Sequence, residues 1–402
     1  MEPVILRTAI KEWMMNRRTI MNRCIISTVG ISLLKNQIDR NNPNEKSWSP
    51  KLGKTANLTW KELSSDVQEI ITILEERASQ KLQDRNFEQI RDASAELNGL
   101  FGIYKNHLSQ GKQDFHFLVA TNTAQGEVAV RLVKEFLKNE GITNTDTYIP
   151  KGLNTAKTNQ FSEGIDDLIS WLQQEIVPNF KENYRILFNL VGSFKALQGY
   201  LNTIGMFYAD EVVYIFEGEG SDIITIPRLP IKVDIDRLKP HTLQLVFMDV
   251  GDKGLHPHET QNIPEALLGE CNNRNILSNW GQLMWNECKE NLLSKELLDF
   301  PWIEYTDTFR ADYNQIHETK KCYRVQEQLA KVSYLLQEHQ GDTSILFQNK
   351  SIQYDPYEGS KGIDHFRVDR SLRISCQKKD GGGIKLYHYG SHDYVEKKGI
   401  KN

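Results

Sequence analysis

FHFLVATNTAQGEVAVRLVKEFLKN, residues 115–139, opens as an apolar run, breaks into a small polar turn at Thr121–Gly126, and goes on as VAVRLVKEFLKN, where a helix is expected. Strand, small turn and helix together form the unit from which a parallel sheet is wound. The same order returns in NYRILFNLVGSFKALQGYLNTIG, residues 183–205, and VVYIFEG, residues 212–218, supplies a further buried strand. Upstream, CIISTVGISLL, residues 24–34, reads as a strand entering a turn at Ser27-Thr28-Val29-Gly30. Arg17, Arg18 and Arg23 before it imitate the start of a signal peptide, but Ser27, Thr28 and Gly30 interrupt the apolar run and no small-residue exit follows. Between these units, Trp60, Leu63, Val67, Ile70, Ile71 and Leu74 recur at three- and four-residue steps, which predicts a long helix. The expectation is an α/β fold with a doubly wound, Rossmann-like parallel sheet over residues 1–225.

Ligands of such sheets bind beyond the carboxyl ends of the strands, where turns present backbone N–H groups and helix N-termini. Three turns have that character: Ser27–Gly30, Thr121–Gly126 and Gly192-Ser193-Phe194-Lys195. Small residues allow close approach, hydroxyls donate to phosphate or ribose, and Lys195 adds a positive charge. Any one of them alone reads equally as a helix N-cap.

The chain has 402 residues and a formal net charge of −4, a composition that suits two or three cores rather than a general polyanion binder. Residues 361–402 depart from that balance, with ten Lys/Arg against five Asp/Glu. Such a surplus suits phosphate contacts or a solvated face. Five cysteines, Cys24, Cys271, Cys288, Cys322 and Cys376, form no CxxC pair and fit a reducing cytoplasm. No apolar stretch approaches the ~20 residues a membrane span needs. Prolines 227, 230, 240, 257 and 264 mark residues 226–300 as a connector with one helix near Trp280–Leu298. A small α+β unit is expected over 301–402: WIEYTDTFRADYNQI, a helix near Tyr323–Gln340, then strands through SILFQN, HFRVDRSLRISCQ and IKLYHYGSH.

The three turns, in this order and with LVGSFKALQGYL at residues 190–201, resemble those of CARF domains, the Rossmann-like sensors of CRISPR systems. The resemblance covers residues 22–225. It implies a homodimer that binds a cyclic oligoadenylate, cyclic tetraadenylate foremost, with Thr28, Gly30, Asn122, Thr123, Gln125, Gly126, Gly192, Ser193 and Lys195 as ligand contacts. The family commonly has Thr and Gly before the second helix, whereas this chain has Val191 and Gly192. FRVDRSLRISCQKKDGGGIKLYHYGSHDYVEKK, residues 366–398, is similar to RelE/ParE-like toxins, small ribonucleases that cut mRNA on the ribosome. Arg373, Gly390, His392 and Tyr394 stand where that pattern has its Arg, Gly, basic residue and Tyr. Together the resemblances imply a cytoplasmic, ligand-activated mRNA interferase of type III CRISPR defence, with the ribosome and mRNA as partners and no metal.

RNA is cut without metal when its 2′-hydroxyl attacks the neighbouring phosphorus and a side chain takes up the proton. His392, with a reference pKa of ~6.5, suits that transfer. Arg373 suits the scissile phosphate, because its planar fork matches two phosphate oxygens. Lys361, Arg367 and Arg370 are assigned to flanking RNA, and Tyr394 to stacking or phosphate orientation. With HFRVDRSLRISCQ read as one strand, Arg370 is placed on the face away from Arg373, and Arg373 joins Cys376 only through a bulge. Arg310 and His317 offer the loose Arg-to-His spacing of HEPN ribonucleases, a second reading. A third is a sensor whose basic terminus binds nucleic acid without cutting it. His256-Pro-His258 lacks further metal ligands.

Overall fold

A computed structural model describes residues 21–154, 157–192, 194–215, 222–357 and 362–399. The chain forms two compact units, Met1–Ile231 and Lys232–Asn402.

In the first unit a six-stranded sheet runs in the order β3-β2-β1-β4-β5-β6. Its strands are β1 (Arg23–Thr28), β2 (Phe115–Val119), β3 (Thr145–Tyr148), β4 (Arg185–Asn189), β5 (Glu211–Ile215) and β6 (Ile223–Pro227). β1 to β5 pair in parallel, and β6 closes the edge antiparallel to β5. The reversal of strand order lies at β1, between β2 and β4, so the crevice that an open α/β sheet offers a ligand falls there. Helices α1 (Ser65–Gln83), α2 (Ala95–Ile103), α3 (Ala124–Asn139) and α4 (Lys195–Tyr208) follow. The sequence periodicity places α1 correctly but starts it early. Ser65 begins the helix and buries Val67, Ile70, Ile71 and Leu74, while Trp60 and Leu63 precede it and pack on the same core. Thr123 caps α3 by accepting from the Gly126 N–H at 3.1 Å, and Ser94 caps α2 by accepting from the Leu97 N–H at 3.2 Å.

The second unit corrects the connector reading of residues 226–300. α5 (Thr242–Val250), the hairpin β7 (Leu268–Cys271) and β8 (Arg274–Leu277), and α6 (Asn279–Leu292) carry Leu245, Val246, Leu277 and Trp285 into one core with Phe309, Val325, Phe366 and Leu386. Prolines here punctuate short elements rather than a free linker. After α6 come β9 (Ile303–Tyr305), α7 (Asp307–Asn314), α8 (Thr319–Glu338), β10 (Asp355–Pro356), β11 (Ile363–Arg367), β12 (Leu372–Lys378), β13 (Ile384–Ser391) and α9 (His392–Gly399). The sheet order is β10-β11-β12-β13-β9, with β9 parallel to β13 and the other pairs antiparallel.

Two strand expectations fail for local reasons. SILFQN forms a single helical turn, Ser344–Gln348, because the Asp342 carboxylate accepts from both the N–H and hydroxyl of Ser344 and only Leu346 is buried. HFRVDRSLRISCQ is a hairpin, not one strand. Asp369 accepts from the Ser371 and Leu372 N–H groups and turns the chain, so Arg367 and Arg373 become direct cross-strand partners on one face. The bulge lies in β13, where Ser375 faces His388 and Cys376 faces Leu386. Arg373 therefore stays on the face opposite Ile374 and Cys376, which are core residues. The extra residue in β13 lets Leu386 and Tyr389, three apart, both reach the core.

Candidate functional sites

A cavity of about 390 Å³ opens at the carboxyl ends of β1, β2 and β4. Val29, Gly30, Ile31, Ser32 and Lys35 line it from the β1 side, Thr121 from β2, Val191, Gly192 and Phe194 from β4, with Ala95 from α2 and Ala56 and Asn57 nearby. Beneath it, the buried Thr28 hydroxyl donates to the Gly192 carbonyl at 2.6 Å and ties the first and third turns together. Gly192 is required by close approach, since a Cβ there would stand 2.6 Å from Glu96 Oε2 and 2.8 Å from the Thr28 carbonyl oxygen. A second cavity, of about 350 Å³, lies at the amino ends of β4 and β5 beside the Arg185–Glu211 ion pair, away from these turns.

Glu96, in the first turn of α2, is fully buried. Neither of its carboxylate oxygens meets a well-formed hydrogen bond. Burial pushes its pKa up to about 7, against the pull of its own N–H, Ser94, the Gly30 N–H and Ser32. Asn189 lies beside it. Its amide nitrogen donates to the Ser27 hydroxyl at 3.1 Å and the Glu96 carbonyl at 2.9 Å, while its Oδ1 is buried without a partner.

The sequence-derived ligand contacts divide accordingly. Gly30 and Gly192 line the cavity, and Thr28 supports them from below. Asn122 is half-buried, with its N–H on the Leu153 carbonyl. Thr123, Gln125 and Gly126 are buried in the packing of α3. The Gln125 amide donates to the Leu52 carbonyl at 2.9 Å, and a Cβ on Gly126 would meet the Thr121 hydroxyl at 2.5 Å. Lys195 is exposed at the start of α4, outside the cavity lining. Ser193 lies outside the described residues. Glu96 and Lys35 were missed because they lie in the first turn of α2 and in the short helix after β1, at positions that carry no turn signature.

In the second unit, one carboxylate gathers three donors. Asp312 on α7 accepts from Tyr394 Oη at 2.9 Å, from the Tyr389 N–H at 3.1 Å, and from His388 Nδ1 at 3.1 Å. A carboxylate only accepts, so Nδ1 carries a proton, and in the neutral ring Nε2 is the basic nitrogen. The His388 and Tyr394 rings meet edge to face at 5.9 Å. Gly390 makes this possible: a Cβ there would lie 2.7 Å from the Tyr394 ring. Burial, then the bond to Asp312, holds the Tyr394 hydroxyl above its ordinary pKa, so it is a donor at neutral pH.

His392 stands apart from this group. It is half-exposed at the start of α9, with Nδ1 3.3 Å from Asp393 and 3.6 Å from Glu396. Those three residues hold their ligand atoms within 4.8 Å of one another, all on one exposed turn. Arg373 is only 5% exposed, and its Nη1 donates to the Asp369 and Leu372 carbonyls at 2.9 and 3.0 Å. Its guanidinium pins the hairpin turn rather than opening to solvent. Arg367 and Arg370 are exposed, and Lys361 lies outside the described residues. Arg310 stacks on Tyr305 at 5.0 Å and faces Asp299 at 3.7 Å, while His317 is exposed in the loop after α7. Asp312 and His388 carried only a weak signal, a polar residue in each of two otherwise structural runs, TDTFRADYNQI and IKLYHYGSH.

No helix among the described residues is long and apolar enough to cross a membrane. Residues 91–229, from the end of the segment before α2 through β6, match the model of the family described as CRISPR-associated protein (Cas_APE2256), and this similarity indicates a CRISPR-associated protein.

Proposed function

We propose that the first unit senses a cyclic oligoadenylate and governs a ribosome-dependent mRNA endoribonuclease in the second, acting as a cytoplasmic homodimer in CRISPR defence. The sensor reading is supported by a cavity at the strand-order reversal of a parallel sheet, lined by Gly30 and Gly192, within a chain similar to a CRISPR-associated family. The nuclease reading rests on the Asp312–His388–Tyr394 constellation, with Arg367 and Arg370 exposed at the turn of the β11–β12 hairpin.

In this reading the RNA 2′-hydroxyl loses its proton to His388 Nε2 as its oxygen bonds to phosphorus. The phosphorus–O5′ bond breaks, O5′ takes up a proton from water as His388 releases its own to solvent, and the products are a 2′,3′-cyclic phosphate and a 5′-hydroxyl. Asp312 holds the imidazole tautomer and stabilises the imidazolium, while Tyr394, whose hydroxyl proton goes to Asp312, packs edge to face on the His388 ring and fixes its orientation. Arg367 and Arg370 hold flanking RNA. His392, exposed beside Tyr394 in sequence, is the alternative proton carrier, and Arg373 shapes the turn that presents Arg367 and Arg370.

Purified protein is incubated with ribosomes programmed with end-labelled mRNA, with and without cyclic tetraadenylate and in the presence of a chelator. The expected result is ligand-dependent cleavage that leaves cyclic phosphate ends and survives chelation. RNA carrying 2′-deoxyribose at the cut should bind and stay intact. Cleavage that persists on the deoxy substrate, or that Arg310→Ala or His317→Ala alone abolishes, overturns the reading.

A further inference from the structure

We infer that Glu96 is a positioning residue of the sensor cavity that has to be uncharged for a phosphate-bearing ligand to bind, so that binding takes up a proton. The inference rests on the sensor reading above and adds to it a residue that lies beneath the ligand rather than against it.

Both carboxylate oxygens of Glu96 are buried under the cavity wall without a well-formed hydrogen bond. Two of the neighbouring side chains have their donors turned elsewhere. Thr28 gives its hydroxyl proton to the Gly192 carbonyl, and the Asn189 amide gives its protons to Ser27 and to the Glu96 backbone. A proton on Glu96 removes a buried charge whose burial outweighs the pull of Ser94, Ser32 and the Gly30 N–H.

The position links that proton to a ligand. Glu96 Oε2 is the atom that a side chain at residue 192 would strike, and Ala95, its neighbour in α2, lines the cavity with Gly30 and Gly192. The groups facing the carboxyl are Ser94 on its own helix, Gly30 and Ser32 after β1, and Gly192 after β4; burial and hydrogen bonds, with no charged side chain, set its acidity. Lys35 is the charged residue among those described in the cavity lining. A phosphate held on the Gly30 and Gly192 turns would repel an ionised Glu96 through a poorly screened interior. The unbound carboxyl titrates at about 7, where this repulsion becomes measurable.

The sign follows by linkage. Ligand binds the protonated form better, so affinity is constant well below pH 7 and weakens above it, by up to about tenfold per pH unit. The phosphodiesters of a cyclic oligoadenylate do not titrate near neutrality, so protons taken up come from the protein.

Two measurements decide the matter on the full chain. First, carbon-13 carboxyl resonances of the ligand-free protein are followed from pH 5 to 9, with Glu96→Gln identifying the missing signal. A midpoint near 7 supports the inference, and one in the ordinary carboxylate range overturns it. Second, cyclic tetraadenylate is titrated calorimetrically in HEPES and in Tris at pH 7.5 and 8.5. Wild type should take up protons and lose affinity at the higher pH, while Glu96→Gln binds equally at both, matching wild type at pH 6. Binding by wild type without proton uptake overturns the role of Glu96 and leaves the sensor reading standing. Absence of binding for every cyclic oligoadenylate of three to six units overturns the sensor reading and the coupling with it. Should Glu96→Gln fail to fold, the wild-type proton uptake alone decides.

Discussion

Glu96 in the first unit and Asp312 in the second are carboxylates placed at the two candidate sites, with opposite surroundings. Asp312 has three donors within 3.1 Å, from His388, Tyr389 and Tyr394. Glu96 is more deeply buried, and no well-formed hydrogen bond meets either oxygen. A carboxylate that three donors hold in place belongs to an arrangement assembled before substrate arrives, which is what stabilising a transition state demands. One that is fully buried and meets only poorly formed bonds belongs to an arrangement whose charge state is open to change, which is what responding to a ligand demands. The pairing of a fixed site with a responsive one is the physical content of the two-unit reading.

The comparison breaks most visibly at Asp312. Asp312→Asn keeps the side-chain volume but removes the anion that selects the His388 tautomer, and His388→Ala removes the base. Loss of such a group costs ~10²–10⁴ in rate. Each variant should lose cleavage on ribosomes in that range, while its affinity for cyclic tetraadenylate stays at the wild-type value. His392→Ala, whose imidazole is half-exposed, should lose far less. If His392→Ala is the dead variant and His388→Ala retains full activity, the site belongs at the start of α9.

A smaller effect separates positioning from catalysis at Arg373. Its guanidinium is buried and donates to the carbonyls of Asp369 and Leu372, so Arg373→Ala leaves those carbonyls short of a charged donor. Hydrogen bonds to charged groups contribute ~1.5–3 kcal/mol. Urea denaturation should show a loss of about that size. Arg373→Lys, which keeps the charge and loses the fork, should recover only part of it. An Arg373→Ala protein of undiminished stability with abolished cleavage would return this residue to the scissile phosphate.

What the sequence disclosed depended on how local the signal is. β1, β2, β4 and β5 stood out because a strand buried on both faces is a continuous apolar run, and each turn followed its strand directly. β6 carries exposed positions on an edge, and residues 232–300 reach their core through long-range packing of Leu245, Val246 and Trp285, for which no short-range spacing exists. The site residues split in the same way. Gly30, Gly192 and Tyr394 lie in recognisable turns or beside a glycine, whereas Asp312 and His388 are 76 positions apart and meet only because β13 returns beside α7. Glu96 looked like an ordinary first-turn acid of a helix, a place where such residues are stabilising and usually solvated. The hairpin at Asp369 was misread because its strands share one composition, and the turn is made by a side chain rather than by Gly or Pro.

The smallest expected effect tests how firmly the responsive site is tied. Thr28 is buried at the end of β1, and its hydroxyl reaches the Gly192 carbonyl at 2.6 Å, joining two turns of the cavity. Thr28→Val keeps the branched shape that suits the strand and removes only the donor. A hydrogen bond between neutral groups contributes ~0.5–1.5 kcal/mol. The Gly192 carbonyl keeps a second, weaker donor in the Gln198 amide at 3.4 Å, which places the loss toward the lower end. Urea denaturation should therefore show a small drop in midpoint with an unchanged slope. Since the hydroxyl points into the protein, affinity for cyclic tetraadenylate should fall by less than the factor given by Lys35→Ala, which removes the charge in the cavity lining. The reverse ranking would mean that Thr28 meets the ligand itself, and that the floor of the cavity opens on binding.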